Sequence, residues 1–301
     1  MIERFDATLP HGITLSCRAA GPAGAPVLLF LHGFPEAAFV WDKMLEHFGG
    51  RYRCVAPNLR GFERSSAPSE PEAYRVKHLM ADVTALVQQL GGAPLEALIA
   101  HDWGGAVAWS LAAQRPQTMK RLVIVNSPHP ATFLRELQRS PEQQAASAYM
   151  NFLCRPDAEA LLAQDDFKRL WRLFDNMGAS DPARTGGGWL TDTVKAQYRE
   201  VWRAGLTGGC NYYRASPLRP PTGPDSAVMQ LQFPPEFVTV NVPTRVVWAE
   251  DDIALPIGLI DGLDAFVPGM TLVRVPGATH WIVHERPAFV AAQIEAALAA
   301  A

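Results

Sequence analysis

The chain has 301 residues, 48% hydrophobic and 19% charged, with 27 basic against 30 acidic side chains and a net charge of −3. That length accommodates one large core carrying an inserted subdomain, and the even spread of both signs leaves no clustered basic face of the kind nucleic acid demands. Cys17, Cys54, Cys154 and Cys210 lie far apart without Cys-x-x-Cys spacing, which argues for reduced thiols rather than a disulfide framework or a zinc site. No stretch approaches the ~18 consecutive apolar residues of a membrane span. The acidic start MIERFDATLPHG speaks against a signal peptide, so a cytoplasmic location away from membranes is expected.

Residues 27–31, VLLFL, form a continuous apolar run ending in His32-Gly33, the pattern of a strand buried on both faces. Similar runs occupy residues 52–56, 95–100 and 122–125. Between them, Leu79, Val83, Leu86, Val87 and Leu90 recur at helical spacing until Gly91-Gly92 stops them. Residues 104–113 are apolar nearly all round, as a helix pressed on a sheet would be. This alternation predicts an α/β fold with a mostly parallel central sheet flanked by helices, and sites in such sheets form at the carboxyl ends of the strands. From 131 to 229 helical patterns dominate and aromatics crowd in, among them Tyr149, Trp171, Trp189, Tyr198, Trp202, Tyr212 and Tyr213. A helical cap over residues 131–229 is expected, inserted into a core domain of residues 1–130 and 230–301. Strand-like runs return at 245–249 and 271–275, and a last helix begins at Pro287 with Val290, Ile294 and Leu298 on one face.

Between the run at 95–100 and the following helix stands Ala100-His101-Asp102-Trp103-Gly104, with small residues two places either side of Asp102. That layout turns the chain sharply and lifts the central side chain above a sheet. With Asp there in place of Ser, the nucleophile is a carboxylate, better suited to displacing a leaving group from saturated carbon and forming an ester. The dipole of the helix that follows favours its ionised form. A lone Asp before a helix more often caps it; the spacing and the partners below favour the nucleophile.

Water that cleaves such an ester needs a base, and the order nucleophile, acid, His points to His280 in Gly277-Ala278-Thr279-His280-Trp281, after the last strand. His284 is a nearby competitor. The carboxylate that orients the base should follow residues 245–249, where Glu250, Asp251 and Asp252 stand together; spacing does not choose among them. Two backbone donors should serve the oxyanion, the N–H of Trp103 and that of Phe34 in His32-Gly33-Phe34-Pro35-Glu36.

These segments, with Pro57-Asn58-Leu59-Arg60-Gly61-Phe62, Asn126-Ser127-Pro128-His129-Pro130 and Asn211-Tyr212-Tyr213-Arg214, make the chain resemble the epoxide hydrolases of the α/β-hydrolase superfamily over essentially its whole length. The resemblance implies an α/β-hydrolase fold and hydrolysis of an apolar epoxide by water, with no metal, organic cofactor or nucleic acid involved; it leaves a homodimer open. It implies that two cap tyrosines, Tyr213 and Tyr149, donate hydrogen bonds to the epoxide oxygen, and that Asp252 is the orienting acid. Phe34, Trp103, Met150 and Trp281 are expected to touch the substrate. Met150 and His284 stand where such enzymes commonly carry Gln.

Two rivals remain. A haloalkane or haloacid dehalogenase would use the same Asp nucleophile, but Phe34 follows His-Gly here and halide leaves without an acid. A non-catalytic receptor or scaffold of the same fold would have no need of nucleophile, base, acid and two tyrosines together.

Overall fold

The computed structural model describes residues 1–183 and 186–300. Eight strands make one sheet: β1 (Glu3–Thr8), β2 (Thr14–Ala20), β3 (Val27–Leu31), β4 (Arg53–Pro57), β5 (Ala97–His101), β6 (Leu122–Val125), β7 (Thr244–Ala249) and β8 (Thr271–Val275). Their spatial order is β1-β2-β4-β3-β5-β6-β7-β8. The β1–β2 and β2–β4 pairs are antiparallel and every other pair is parallel. The parallel strands match the apolar runs to within a residue or two. The antiparallel pair β1 and β2 is an addition to the expected set, because the exposed ERFDAT segment carries no apolar run.

Alternate side chains of each inner strand feed two cores. Leu29, Leu31 and Val55 join one face of the sheet, while Leu28, Phe30 and Cys54 join the other. The second face is covered by α1 (Asp42–Phe48), through Met44, Leu45 and Phe48, and by α11 (Pro287–Ala299), through Val290 and Ile294. On the first face lie α2 (Val76–Gln89), through Leu79, Val83 and Leu86, and α3 (Asp102–Gln114), through Val107 and Leu111. Each such side chain, fully buried, contributes about 1.5–3 kcal/mol.

Between β6 and β7 the chain leaves the sheet and forms α4 (Pro130–Arg139), α5 (Pro141–Ala146), α6 (Ala148–Leu153), α7 (Ala158–Asp175), α8 (Asp192–Ala204) and α9 (Thr207–Ala215). Sequence signals set several starts: Pro opens α4 and α5, and the side chains of His129, Ser140 and Thr191 accept from first-turn amides of α4, α5 and α8. These helices are tied to the loops at the carboxyl edge of the sheet. Trp202 Nε1 donates to the Pro35 carbonyl (2.8 Å) and the Tyr212 hydroxyl to the Arg60 carbonyl (3.0 Å). Two backbones meet where a Cβ on Gly61 would stand 2.7 Å from the Gly208 Cα, so neither position tolerates a side chain. The last short helix before α11 is α10 (Ile282–Glu285), which carries His284. Among the described residues no helix is long and apolar enough to cross a membrane.

Candidate active site

The turn from β5 into α3 places Asp102 at φ +49°, a left-handed conformation unusual for a residue with a side chain. The turn is held by close approach: a Cβ on Gly104 would lie 2.5 Å from the Leu31 carbonyl oxygen, one on Gly105 2.2 Å from Ser127 Cβ. The Ser127 hydroxyl donates to the Asp102 carbonyl at 2.7 Å. The Asp102 carboxylate stands over the carboxyl edge of the sheet, its Oδ1 accepting from the Phe34 N–H at 2.7 Å. A Cβ on Gly33 would fall 2.2 Å from that same oxygen, so glycine there is what lets the loop approach the carboxylate.

The loop itself is pinned by His32. Burial holds this ring neutral, its pKa pushed down to about 4. Nδ1 donates to the Gly33 carbonyl (2.9 Å) while Nε2 accepts from the Leu59 N–H (3.0 Å).

His280, on the loop after β8, faces the other carboxylate oxygen, with Nε2 3.8 Å from Asp102 Oδ2. Its Nδ1 is 2.7 Å from Asp252 Oδ2. Asp252 also accepts from Asn126 Nδ2 (2.8 Å) and from the Ala254 and Leu255 amides (2.9 and 3.0 Å). Burial opposes the Asp252 charge, yet the His280 ring and these donors hold its carboxyl below the usual range. Burial likewise opposes a charge on His280, but the Asp252 and Asp102 carboxylates outweigh it and raise the pKa to about 9. Of the three acids after β7, the structure brings Asp252 to the histidine; Glu250 pairs instead with Arg274.

A cavity of about 760 Å³ opens above Asp102 and Trp103. From the helices between β6 and β7, Tyr149, Met150 and Tyr213 line it. The Tyr149 and Tyr213 rings sit 5.9 Å apart, and Tyr213 also meets Trp103 edge-on at 5.1 Å and Phe34 at 5.4 Å. Burial raises both phenols well above the ordinary tyrosine value, followed by the Asp102 charge for Tyr149 and by Tyr149 and then Asp102 for Tyr213, so both remain protonated donors.

Two of the residues expected at the substrate are not among those that line this cavity. Trp281 is 2% exposed and stacks into an aromatic cluster with Phe174 (4.3 Å between ring centres) instead of lining the cavity. Phe34 offers its N–H to Asp102, but its ring borders a small separate pocket with Trp202 and Leu206.

The structure adds residues the motifs left without a role. Asn126, at the carboxyl end of β6 with φ +39°, fixes Asp252 from one side while its Oδ1 accepts from the Ala249 N–H. Its place at a strand end, the rule that pointed to Asp102 and His280 in the sequence, was the available signal. Behind His280 lies a buried cluster: Glu36 Oε1 accepts from the Tyr198 hydroxyl (2.7 Å) and lies 2.9 Å from His284 Nε2, and Glu36 Oε2 lies 3.1 Å from His101 Nδ1. His101 Nε2 in turn meets the His280 carbonyl at 2.9 Å. Among the described residues no group of three or more His, Cys, Asp or Glu side chains is arranged to hold a metal ion.

A mostly parallel sheet with an acidic residue at the turn from β5 into α3, a buried His–Asp pair and a facing loop N–H is the arrangement of an α/β hydrolase. A family model described as alpha/beta hydrolase fold matches residues 26–287, and the chain belongs to that family. Relatives there include proteins named as epoxide hydrolases. The AB hydrolase superfamily protein YfhM of Bacillus subtilis is 34% identical, over 93% of this chain and 92% of that protein. Epoxide hydrolase 4 of Mus musculus is 31% identical, over 92% of this chain and 74% of that protein. A solved structure among novel epoxide hydrolases of the alpha/beta hydrolases superfamily, from metagenomes of hot environments, superposes with a TM-score of 0.87 at 36% identity, covering 100% of both chains. The resemblance read from the motifs is thus to epoxide hydrolases, and the chain is an enzyme of the hydrolase type.

Proposed function

We propose that this chain hydrolyses epoxides to vicinal diols through a covalent ester on Asp102, with the helices of residues 131–229 acting as a cap over the site. The observation that carries the reading is one carboxylate set between a histidine 3.8 Å away and a cavity wall that presents two protonated phenols. The epoxide oxygen takes hydrogen bonds from Tyr149 and Tyr213. An Asp102 oxygen attacks a ring carbon; the C–O bond of the ring breaks, its electrons pass to the oxygen, and that oxygen takes a proton from one of the two phenols to become the hydroxyl of the ester, leaving a phenolate. Phenols suit this step because an alkoxide is a poor leaving group without an acid.

Water then adds to the ester carbonyl and gives its proton to His280, which Asp252 orients. The Phe34 N–H, already aimed at the carboxylate, and the Trp103 N–H stabilise the oxyanion. The intermediate collapses, the diol oxygen leaves with the proton held by His280, and the Asp102 carboxyl, which retains one oxygen from water, returns its proton to the phenolate. Esterification also removes the Asp102 charge, which after Asp252 helps hold a proton on His280, so the imidazole gives up that proton more readily at the stage that needs a base. The two phenols favour this reading over a dehalogenase, since halide leaves unprotonated.

The test is His280→Gln incubated with an aryl epoxide. An Asp102 peptide heavier by the mass of the epoxide, with no diol released, is the expected result, and wild-type enzyme in heavy-oxygen water should carry label into that peptide after one turnover. Absence of any adduct across terminal, internal and aryl epoxides would overturn the reading.

A further inference from the structure

The charges lining the cavity are lopsided. Asp102 supplies the acidic side chain at its inner end, and Arg75, Lys77, Arg214 and Arg219 supply basic ones; no other acid is among the lining residues. The chain as a whole carries −3, so this excess of cations is a property of the cavity and not of the surface in general. Exposure marks the open end: Arg75, Val76, Lys77 and Gln114 are exposed, whereas Met150 and Tyr213 are buried.

The four cations are not equivalent. Arg214 is spoken for, held by both oxygens of Glu159 at 2.6 and 2.8 Å. Arg219 has the Cys154 sulfur at 3.3 Å and no carboxylate, and the side chains of Arg75 and Lys77 have no polar partner among the described residues. The Tyr74 ring rests on Tyr212 at 5.5 Å, which sets the 75–77 segment beside α9, the helix that leads on to Arg219. Between this end and Asp102 the walls are apolar, with Leu79, Val107, Phe133 and Leu218 among them. A volume of about 760 Å³ far exceeds an epoxide ring and its immediate substituents and sits in the range of pockets that enclose a whole medium-sized ligand.

We propose that the preferred substrate is an epoxide joined by an apolar body to an anionic group such as a carboxylate, the anion held at the open end by Arg75, Lys77 and Arg219 while the ring reaches Asp102. This rests on the epoxide-hydrolase reading for the ring, but the anion site is a separate claim. The cations would also repel nothing the reaction needs: water and the neutral diol portion are uncharged, and an incoming anion meets attraction before it meets the Asp102 carboxylate at the far end.

Two measurements test it together. The terminal epoxide of decenoic acid is compared with that of its primary amide, which differs in charge and little in shape. A KM about tenfold lower for the acid is expected, shrinking as salt rises because Arg75 and Lys77 are open to solvent and Arg219 is only half-buried. In Arg75→Gln/Lys77→Gln/Arg219→Gln the ratio should fall to about one. Binding of decanoate and of decanamide, which cannot react, is measured by calorimetry on the same proteins. Tighter binding of decanoate that the triple variant loses supports the anion site even if neither epoxide is turned over, a result that would count against the epoxide reading alone. Equal binding of decanoate and decanamide, or a preference that survives the triple substitution, overturns the anion site whatever the turnover.

Discussion

Replacing Asp252 by Asn isolates the work of the base. The His280 pKa stands at about 9 instead of 6.5 although burial pulls it down; at about 1.4 kcal/mol per tenfold, the carboxylates supply a net preference of about 3 kcal/mol for the imidazolium. An amide keeps the shape of the site and removes the nearer charge, so burial then drives the ring neutral. It also presents an N–H where an acceptor stood, which favours the tautomer with its proton on Nε2, the atom that must receive the proton of water. A substitution of this kind in a hydrolase triad costs about 10⁴ in turnover, and diol formation in Asp252→Asn is predicted to fall by about 10³–10⁴. Attack by Asp102 precedes the base, so the ester should form and accumulate, visible as a heavier Asp102 peptide when the reaction is quenched at short times. The sign of the stability effect is also fixed. A histidine raised from 6.5 to about 9 on folding lends stability that is full below 6.5 and is lost as pH climbs through 9. That alkaline loss should be absent from melting curves of Asp252→Asn. Turnover within tenfold of wild type, or alkylation slowed as much as hydrolysis, would refute the reasoning.

Other perturbations follow from the same geometry. Gly33→Ala would set a methyl group 2.2 Å from the Asp102 oxygen; the loop must retreat and withdraw the Phe34 N–H, so activity should drop by about 10²-fold or more while circular dichroism still reports a folded protein. Tyr149→Phe and Tyr213→Phe should each slow ester formation about 10- to 100-fold, the worth of a hydrogen bond to a charged oxygen, with hydrolysis of the ester unchanged. Rapid-quench measurement of the two steps separates these outcomes.

The inner strands were legible because a parallel sheet buries both faces, and runs such as VLLFL have no other use. β1 was not, since its ERFDAT sequence alternates at a half-exposed edge where apolar periodicity is weak. The start of α2 at Val76 was hidden for a related reason: its first turn, Val76 and Lys77, is exposed and adds nothing to the apolar stripe that begins at Leu79. Asp102 and His280 stand at strand ends in a fixed order and could be named. Choosing Asp252 needed the resemblance, because three adjacent acids differ only in which one the turn after β7 directs inward. Trp281 shows the want of tertiary information: an indole beside His280 fits a substrate pocket or an aromatic stack equally well by composition, and its packing on Phe174 from a distant helix is visible only in the fold.

The Glu36 cluster was beyond any local pattern, since Glu36, His101, Tyr198 and His284 come from four segments, and it raises the question of what a buried carboxylate does beside a site that already has two. Its oxygens meet Tyr198 of α8 and His284 of α10 on one side and His101 on the other, and its charge also adds, as the smallest contribution, to the raised pKa of His280. If the cluster chiefly fastens α8 to the sheet domain, removing one partner leaves the rest buried and unpaired, which costs about 3–5 kcal/mol for a charge and about 1.5–3 for a hydrogen bond to one. Glu36→Gln and Tyr198→Phe should then lose stability by those amounts in chemical unfolding, while the pH profile of ester hydrolysis moves little. The geometry favours this outcome, because Asp252 lies 2.7 Å from His280 whereas Glu36 reaches it only through His101 and the His280 carbonyl. A Glu36→Gln enzyme of unaltered stability whose hydrolytic step shifts on the pH axis would instead place the carboxylate in the control of His280.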